Sequence, residues 1–195
     1  MHEVLLKNIA AFIELTDKEI EYFLSLLVPK KLRRRQYHVQ AGELCRYEAY
    51  VLKGILRQYY IDDSGAEHTI SFAMEDWWIS DMYGFITGNP SLTNIEAIEE
   101  CELILIEKNN FEKLLLNIPK FERFFRIKLQ RAFVAHQRRI IENMSMPALQ
   151  RYLHFVEQYP SLEQRVPQKL IASYLGITPE SLSRVRKQLA GGKQS

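Results

Sequence analysis

Between Thr178 and Lys187 the chain gathers side chains that could read a nucleic acid. Thr178, Ser181 and Ser183 carry hydroxyls, Glu180 a carboxylate, and Arg184 and Lys187 are cations. Leu182, Val185 and Leu189 recur among them at helical spacing. A helix here would bury that apolar face and turn Glu180, Ser183, Arg184 and Lys187 outward. One buried face and one face of donors, cations and a carboxylate is what a helix lying in a DNA major groove needs. The pattern is equally that of a helical hairpin with a solvated outer face, and pattern alone leaves both open.

The flanking residues position this helix. Pro167 can start a preceding helix, since a proline at the first helical position loses a donor that had no partner. Leu170, Ile171, Tyr174 and Leu175 give that helix an apolar face, and Gly176 follows where a positive φ is cheapest. Thr178 is a good N-cap and Pro179 a good first residue for the second helix. The segment Ile171–Arg184 has the form I-A-x-Y-L-G-I-T-x-E-x-L-S-R and resembles the helix-turn-helix of the CRP/FNR family of bacterial transcription regulators. The resemblance implies double-stranded DNA as a partner. It places Glu180 and Arg184 on base edges and Thr178 and Ser181 near phosphates, with Arg186 and Lys187 adding positive charge beside the backbone. Pro179 stands where the best-known member has another base-reading arginine, so a different preferred site is expected. The chain ends six residues after Leu189. The β-hairpin wing that usually follows the recognition helix is therefore expected to be missing, which would cost phosphate contacts but not base readout.

The chain's 195 residues suffice for one large domain or two small ones. Its net charge of +2 hides a split. Residues 1–120 hold 13 basic and 19 acidic side chains, a balance of −6; residues 121–195 hold 13 and 5, a balance of +8. A basic C-terminal third under an acidic body fits a protein that meets phosphate at one end. No apolar run is long enough to span a bilayer, and the start reads as helix rather than a secretory leader. Cys45 and Cys101 stand far apart without companions, which argues against a disulfide scaffold or a four-cysteine iron–sulfur site and makes a reducing cytoplasm the simplest home.

Taken in order, Thr16-Asp17-Lys18-Glu19 has the form of a capping box. It opens a helix through Ile20, Phe23, Leu24 and Leu27 that Pro29 is expected to end. From Lys30 to Phe72 the texture changes to short strands and turns. The basic run of Lys30, Lys31 and Arg33–Arg35 reads as a solvated strand edge. Turns are expected at Ala41-Gly42-Glu43, at Gly54, and at Asp62-Asp63-Ser64-Gly65, with further strands at Ile95–Ile98 and Leu103–Ile106. The expected class is α+β: an N-terminal antiparallel β-roll with flanking helices, a long helix, and a C-terminal helix-turn-helix. Ala41-Gly42-Glu43, Val51-Leu52-Lys53-Gly54 and the block from Asp76 to Ala97 resemble the cyclic-nucleotide-binding roll of the same family.

In that family a Gly-Glu pair takes the ribose and an arginine about ten residues on neutralises the phosphate. Here the corresponding stretch reads Trp77-Trp78-Ile79-Ser80-Asp81-Met82-Tyr83, where Asp81 is a shortened carboxylate without a preceding glycine. The arginine's place falls at or near Ser91, and no Arg or Lys lies between Arg57 and Lys108. An anion would meet hydroxyls and backbone amides but no cation. Trp77, Trp78, Asp81, Tyr83 and Ser91 are the candidate pocket residues, with core packing the alternative for the aromatics.

Pro119–Asn143 carries a wide apolar stripe and a heptad-like seam through Phe125, Leu129, Ala132 and His136, so pairing with a second copy is expected. The resemblance implies the same homodimer. Expected boundaries are 1–118 for the roll with its N-terminal helices, 119–143 for the dimerisation helix and 144–195 for the helix-turn-helix domain. His2, His38, His68, His136 and His154 show no His-x-His pair, and nucleotide-binding glycine motifs and nucleophile elbows are missing. No enzyme, cofactor or metal is expected. A small-molecule sensor with a vestigial helix-turn-helix is the alternative.

Overall fold

The structure is a computed structural model that describes residues 2–191. It forms two compact units, Met1–Ile61 with Ile70–Gln130 and Asp62–Thr69 with Arg131–Ser195. The first holds helices α1 (His2–Ala10) and α2 (Asp17–Ser25), then strands β1 (Leu27–Leu32), β2 (Tyr37–Val39), β3 (Tyr47–Lys53) and β4 (Leu56–Ile61). Strands β5 (Glu67–Ala73) and β6 (Trp78–Ile79), helix α3 (Met82–Thr87), β7 (Asn94–Ala97), β8 (Cys101–Glu107) and α4 (Lys108–Asn117) follow. The long α5 (Lys120–Ser145) leads to α6 (Ala148–Gln158), α7 (Pro160–Arg165), α8 (Gln168–Tyr174) and α9 (Pro179–Gly191).

Two four-stranded sheets, ordered β1-β8-β3-β6 and β2-β7-β4-β5, make the roll. The α+β class and antiparallel roll expected from the sequence are what the structure shows. Alternation along the strands decides what each face buries. Ala49, Val51, Leu103 and Leu105 join Leu56, Ile95 and Ala97 in the roll's interior. Their neighbours Tyr50, Ile104 and Ile106 face the helices and pack with Leu5, Ile9, Phe23, Leu114, Phe121 and Phe124. Gly54 turns β3 into β4 at φ +95°, and a Cβ there would lie 2.5 Å from the Glu100 carbonyl oxygen, so the turn admits only glycine without displacement.

The capping box is formed: Glu19 N–H donates to Thr16 Oγ1 at 3.3 Å and Thr16 N–H to Glu19 Oε2 at 2.7 Å. The helix it opens ends at Ser25, before Pro29. Pro29 sits inside β1, opposite Ile104, on a sheet edge where a missing N–H is tolerated. Lys31 lies on that edge and pairs with Glu102 at 3.0 Å, and Arg33–Gln36 make the turn into β2. Cys45 and Cys101 are buried free thiols.

The second unit has its own core of Tyr152, Phe155, Leu162, Val166, Ile171, Ala172, Leu175, Leu182 and Val185. It includes the tip of the β4–β5 hairpin, where Asp62 Oδ1 accepts the N–H groups of Ser64 (2.9 Å) and Ala66 (3.0 Å). Thr69 N–H donates to Ser173 Oγ at 2.8 Å, and that hydroxyl donates to the Glu67 carbonyl at 3.0 Å, tying the tip to α8. Helices α4 and α7 were not expected from the sequence. Pro167 stands one residue earlier than expected, as the N-cap of α8.

Candidate functional site

Two places concentrate polar chemistry. The first is α9. Gly176 ends the preceding turn at φ +64°, and Thr178 Oγ1 accepts the N–H of Ser181 at 3.2 Å, so the helix starts at Pro179 as its cap residues dictate. Leu182 and Val185 are buried, which fixes the rotation of α9. That rotation leaves Thr178, Glu180, Ser183, Arg184 and Lys187 exposed and Ser181 half-buried. Arg184 Nη2 donates to Ser181 Oγ at 3.3 Å, and Ser181 in turn lies 3.2 Å from Thr178 Oγ1. The fork of Arg184 is thus held against the first turn of the helix. Glu180 keeps its charge readily: its own backbone N–H, then Thr178, hold its carboxyl below the usual range. Arg186 is not part of this face; its Nη2 sits 3.4 Å from Glu163, which also accepts Tyr152 Oη at 3.0 Å. The expected loss of a wing concerns residues outside the described 2–191.

The second place is the corner of the roll around Asp81. This side chain is 2% exposed and caps α3, its Oδ1 accepting Gly84 N–H at 3.1 Å. Its Oδ2 accepts the N–H groups of Leu92 (3.0 Å) and Thr93 (3.1 Å), the Thr93 hydroxyl (2.9 Å) and the Ser91 hydroxyl. Behind Thr93 the hydrogen bonds continue: Gln58 Nε2 donates to Thr93 Oγ1 at 2.9 Å, and Ser71 Oγ donates to Gln58 Oε1 at 3.1 Å. Burial pushes the Asp81 carboxyl up, but the bonds from Ser91, Gly84 and Thr93 outweigh it and hold the group below its ordinary value, charged.

The two cations that bracket this stretch in sequence are engaged elsewhere. Arg57 follows the inward Leu56 on β4 and so lies on the opposite face; it is 2% exposed, 3.9 Å from Glu96 and stacked 4.2 Å above the Tyr59 ring. Lys108 Nζ donates to the Ile86 carbonyl at 3.0 Å.

Of the five pocket residues expected from the sequence, the structure brings Asp81 and Ser91 together and scatters the aromatics. Trp77 packs against the roll's interior cluster. Trp78 faces the other way and lies against Tyr50, Phe124 and Phe125 at centroid distances of 5.3, 6.1 and 5.4 Å. Tyr83 is exposed on α3, its hydroxyl accepting from Asn89. Gln58, Ser71 and Thr93 were not among the residues singled out from the sequence. The i, i+2 spacing of Ser91 and Thr93, which puts both on one side of an extended segment, is the signal that could have found Thr93.

A two-sheet roll with a short helix between β6 and β7, followed by a long helix and a helical C-terminal unit, defines the class. Residues 29–117 match the family model of the cyclic nucleotide-binding domain. The fold of the chain is that of CRP/FNR-type regulators, as the sequence resemblance implied. FixK2 from Bradyrhizobium japonicum superposes with a TM-score of 0.76 at 18% identity, covering 86% of each chain. The c-di-GMP-responsive global regulator CLP from Xanthomonas campestris gives 0.75 at 16% identity, over 91% of this chain and 93% of that one. A CooA mutant from Carboxydothermus hydrogenoformans gives 0.67 at 15%, over 92% and 86%. No curated protein matches the sequence.

Proposed function

We propose that this protein is a sequence-specific DNA-binding transcription regulator that grips a two-fold operator as a homodimer, and that cyclic AMP and cyclic GMP do not control it. The observation that carries the reading is the outward face of α9. Its apolar edge is committed to the core, while Thr178, Glu180, Ser183, Arg184 and Lys187 are exposed. Arg184 supplies a two-pronged donor for a guanine edge, Glu180 an acceptor for a cytosine amine, and Lys187 a phosphate contact. The basic C-terminal third adds the long-range attraction that such binding uses.

Dimerisation follows from α5. Leu129, Phe133, Val134, Ile140, Ile141 and Met144 are all exposed on one helix, an apolar surface that a second copy of the same helix would cover. Two recognition helices related by a two-fold axis then match half-sites about one helical turn apart. The buried thiols of Cys45 and Cys101 suit a cytoplasmic setting. Among the described residues no helix is long and apolar enough to cross a membrane.

Selection of bound duplexes from a random pool tests the reading. The expected product is a pseudo-palindrome; a pool that shows no enrichment would favour a sensor whose helix-turn-helix no longer reads DNA. Calorimetry with cyclic AMP and cyclic GMP should show no binding. A cyclic nucleotide would bring an anion to a stretch that has no Arg or Lys between Arg57 and Lys108, and losing a charge-assisted contact alone costs about 1.5–3 kcal/mol.

A further inference from the structure

We infer that Asp81 is a built-in anion: its carboxylate occupies the place in which this domain would otherwise hold a ligand's phosphate, so the corner at Ser91–Thr93 is liganded from within the chain. This deepens the reading that cyclic nucleotides are not effectors and rests on it. Two consecutive backbone N–H groups, Leu92 and Thr93, converge on one oxygen, Asp81 Oδ2, and the hydroxyls of Ser91 and Thr93 reach the same atom. Successive amides aimed at one point form a concavity for an anion, and the hydroxyls complete it.

A helix cap would not need this arrangement. Capping α3 uses Oδ1 and Gly84 N–H. The four donors on Oδ2 come from the loop that leads into β7, and none belongs to α3. The direction of the relay is fixed as well. Gln58 Nε2 donates into Thr93 Oγ1, which leaves that hydroxyl's hydrogen for Asp81, and Ser71 in turn holds the Gln58 amide oxygen. The donors around Oδ2 outnumber the roughly two lone-pair sites of one carboxylate oxygen, and the Ser91 hydroxyl shares its hydrogen with the Thr93 carbonyl at 2.8 Å, so the oxygen has no acceptor capacity to spare. A second anion would find the corner's donors taken and a negative charge in place of a positive one.

The inference assigns roles that a single-residue removal can expose. Asp81→Ala deletes the carboxylate but keeps the Cβ, leaving a vacancy the size of formate lined by donors. The test is thermal unfolding of the full chain in sodium formate, in sodium chloride of equal ionic strength, and in the neutral isostere formamide. In chloride the variant should melt roughly 5–10 °C below the wild type, as loss of several hydrogen bonds to a charged group requires. Formate should raise the variant's melting point toward the wild-type value in a saturable way, because a ligand of the folded state alone stabilises it by mass action. Chloride and formamide should not. The wild type should gain nothing from formate, inorganic phosphate or cyclic AMP.

The inference is overturned if Asp81→Ala melts like the wild type, if formate fails to restore it, or if phosphate or cyclic AMP saturably stabilises the wild type. Should Asp81→Ala not fold, Asp81→Asn serves: it has the same size but cannot accept at both oxygens, so it should be destabilised and indifferent to formate. Wild-type stability in that variant would equally refute the idea. Because no DNA enters the measurement, its failure is separate from failure of the DNA-binding reading.

Discussion

The corner at Asp81 and the face of α9 use nearly the same side-chain chemistry to opposite ends. Each has hydroxyls of Ser and Thr and one carboxylate. At the corner the Leu92 and Thr93 amides and the Ser91 and Thr93 hydroxyls are turned inward onto Asp81 Oδ2, and Ser91, Thr93 and Asp81 are all buried. On α9 the helix starts at Pro179 behind a Thr178 cap, buries Leu182 and Val185, and leaves its donors outward. The difference is the presence of exposed cations. Arg184 and Lys187 are exposed on α9, whereas the stretch between Arg57 and Lys108 has no Arg or Lys, and the Leu92 and Thr93 amides are met by the Asp81 carboxylate. Buried polar groups must be paired, and here the partner is a side chain of the same unit.

The comparison breaks most visibly if the outward face is not used in pairs. Phe133→Glu puts a charge into the exposed apolar stripe of α5 where a second copy would cover it, and an unpaired charge there is costly. Sedimentation should show monomers, and affinity for a two-fold site should fall about 10²–10⁴-fold, the gain that linking two half-sites provides. A variant that stays a tight dimer places the interface elsewhere.

Glu48 sharpens the inward half. It lies in the same unit as Asp81 and is also buried, but its carboxyl has the Ser80 hydroxyl as partner rather than a ring of donors. Burial pushes it up to about 7, against 4.5 for an ordinary glutamate. The folded state therefore holds a proton that the unfolded chain releases between those values. The stability this contributes is complete below about pH 4.5 and is lost as pH rises through about 7. Glu48→Gln should flatten that slope and raise stability at pH 8 by about 1–3 kcal/mol in chemical denaturation. An unchanged pH profile would mean that Glu48 is not desolvated.

The smallest expected effect separates two adjacent cations. Lys187→Ala should weaken all DNA sequences alike and reduce the salt slope by about one. Arg186→Ala should leave the slope closer to wild type and cost about 0–1 kcal/mol of folding stability, since its ion pair with Glu163 is partly exposed. Equal salt slopes for the two variants would show that α9 is rotated differently on the DNA.

How much of this was legible in the sequence follows from the range of the interactions. The capping box at Thr16, the turn at Gly54 and the Gly176–Thr178 turn depend on residues close together, and their spacing revealed them. Short strands around the Gly54 turn were legible, but not that Tyr50 would meet helices while Ala49 and Val51 faced the roll's interior. Pro29 read as a helix stop because a sequence does not say that the next strand is an edge. The site divided in the same way. Asp81 and Ser91 were found because they stand where a known pattern has its carboxylate and arginine. Their mutual hydrogen bond, and the relay through Gln58 and Ser71, join β4, β5 and the loop before β7, and no local spacing encodes that closure. The tryptophans were misleading as a pair: Trp77 lies in the turn before β6 and packs against the roll's interior, while Trp78 on β6 packs with the helices, so the two do not line one pocket.

The most direct test of the DNA-binding account is fluorescence anisotropy on a site recovered by selection, comparing wild type with Arg184→Ala at several salt concentrations. The account predicts that the variant loses about 1–3 kcal/mol on the selected site, binds random duplex nearly as well as before, and becomes less selective at the base pair that Arg184 faces. Equal affinity of the two proteins for the selected site would contradict it.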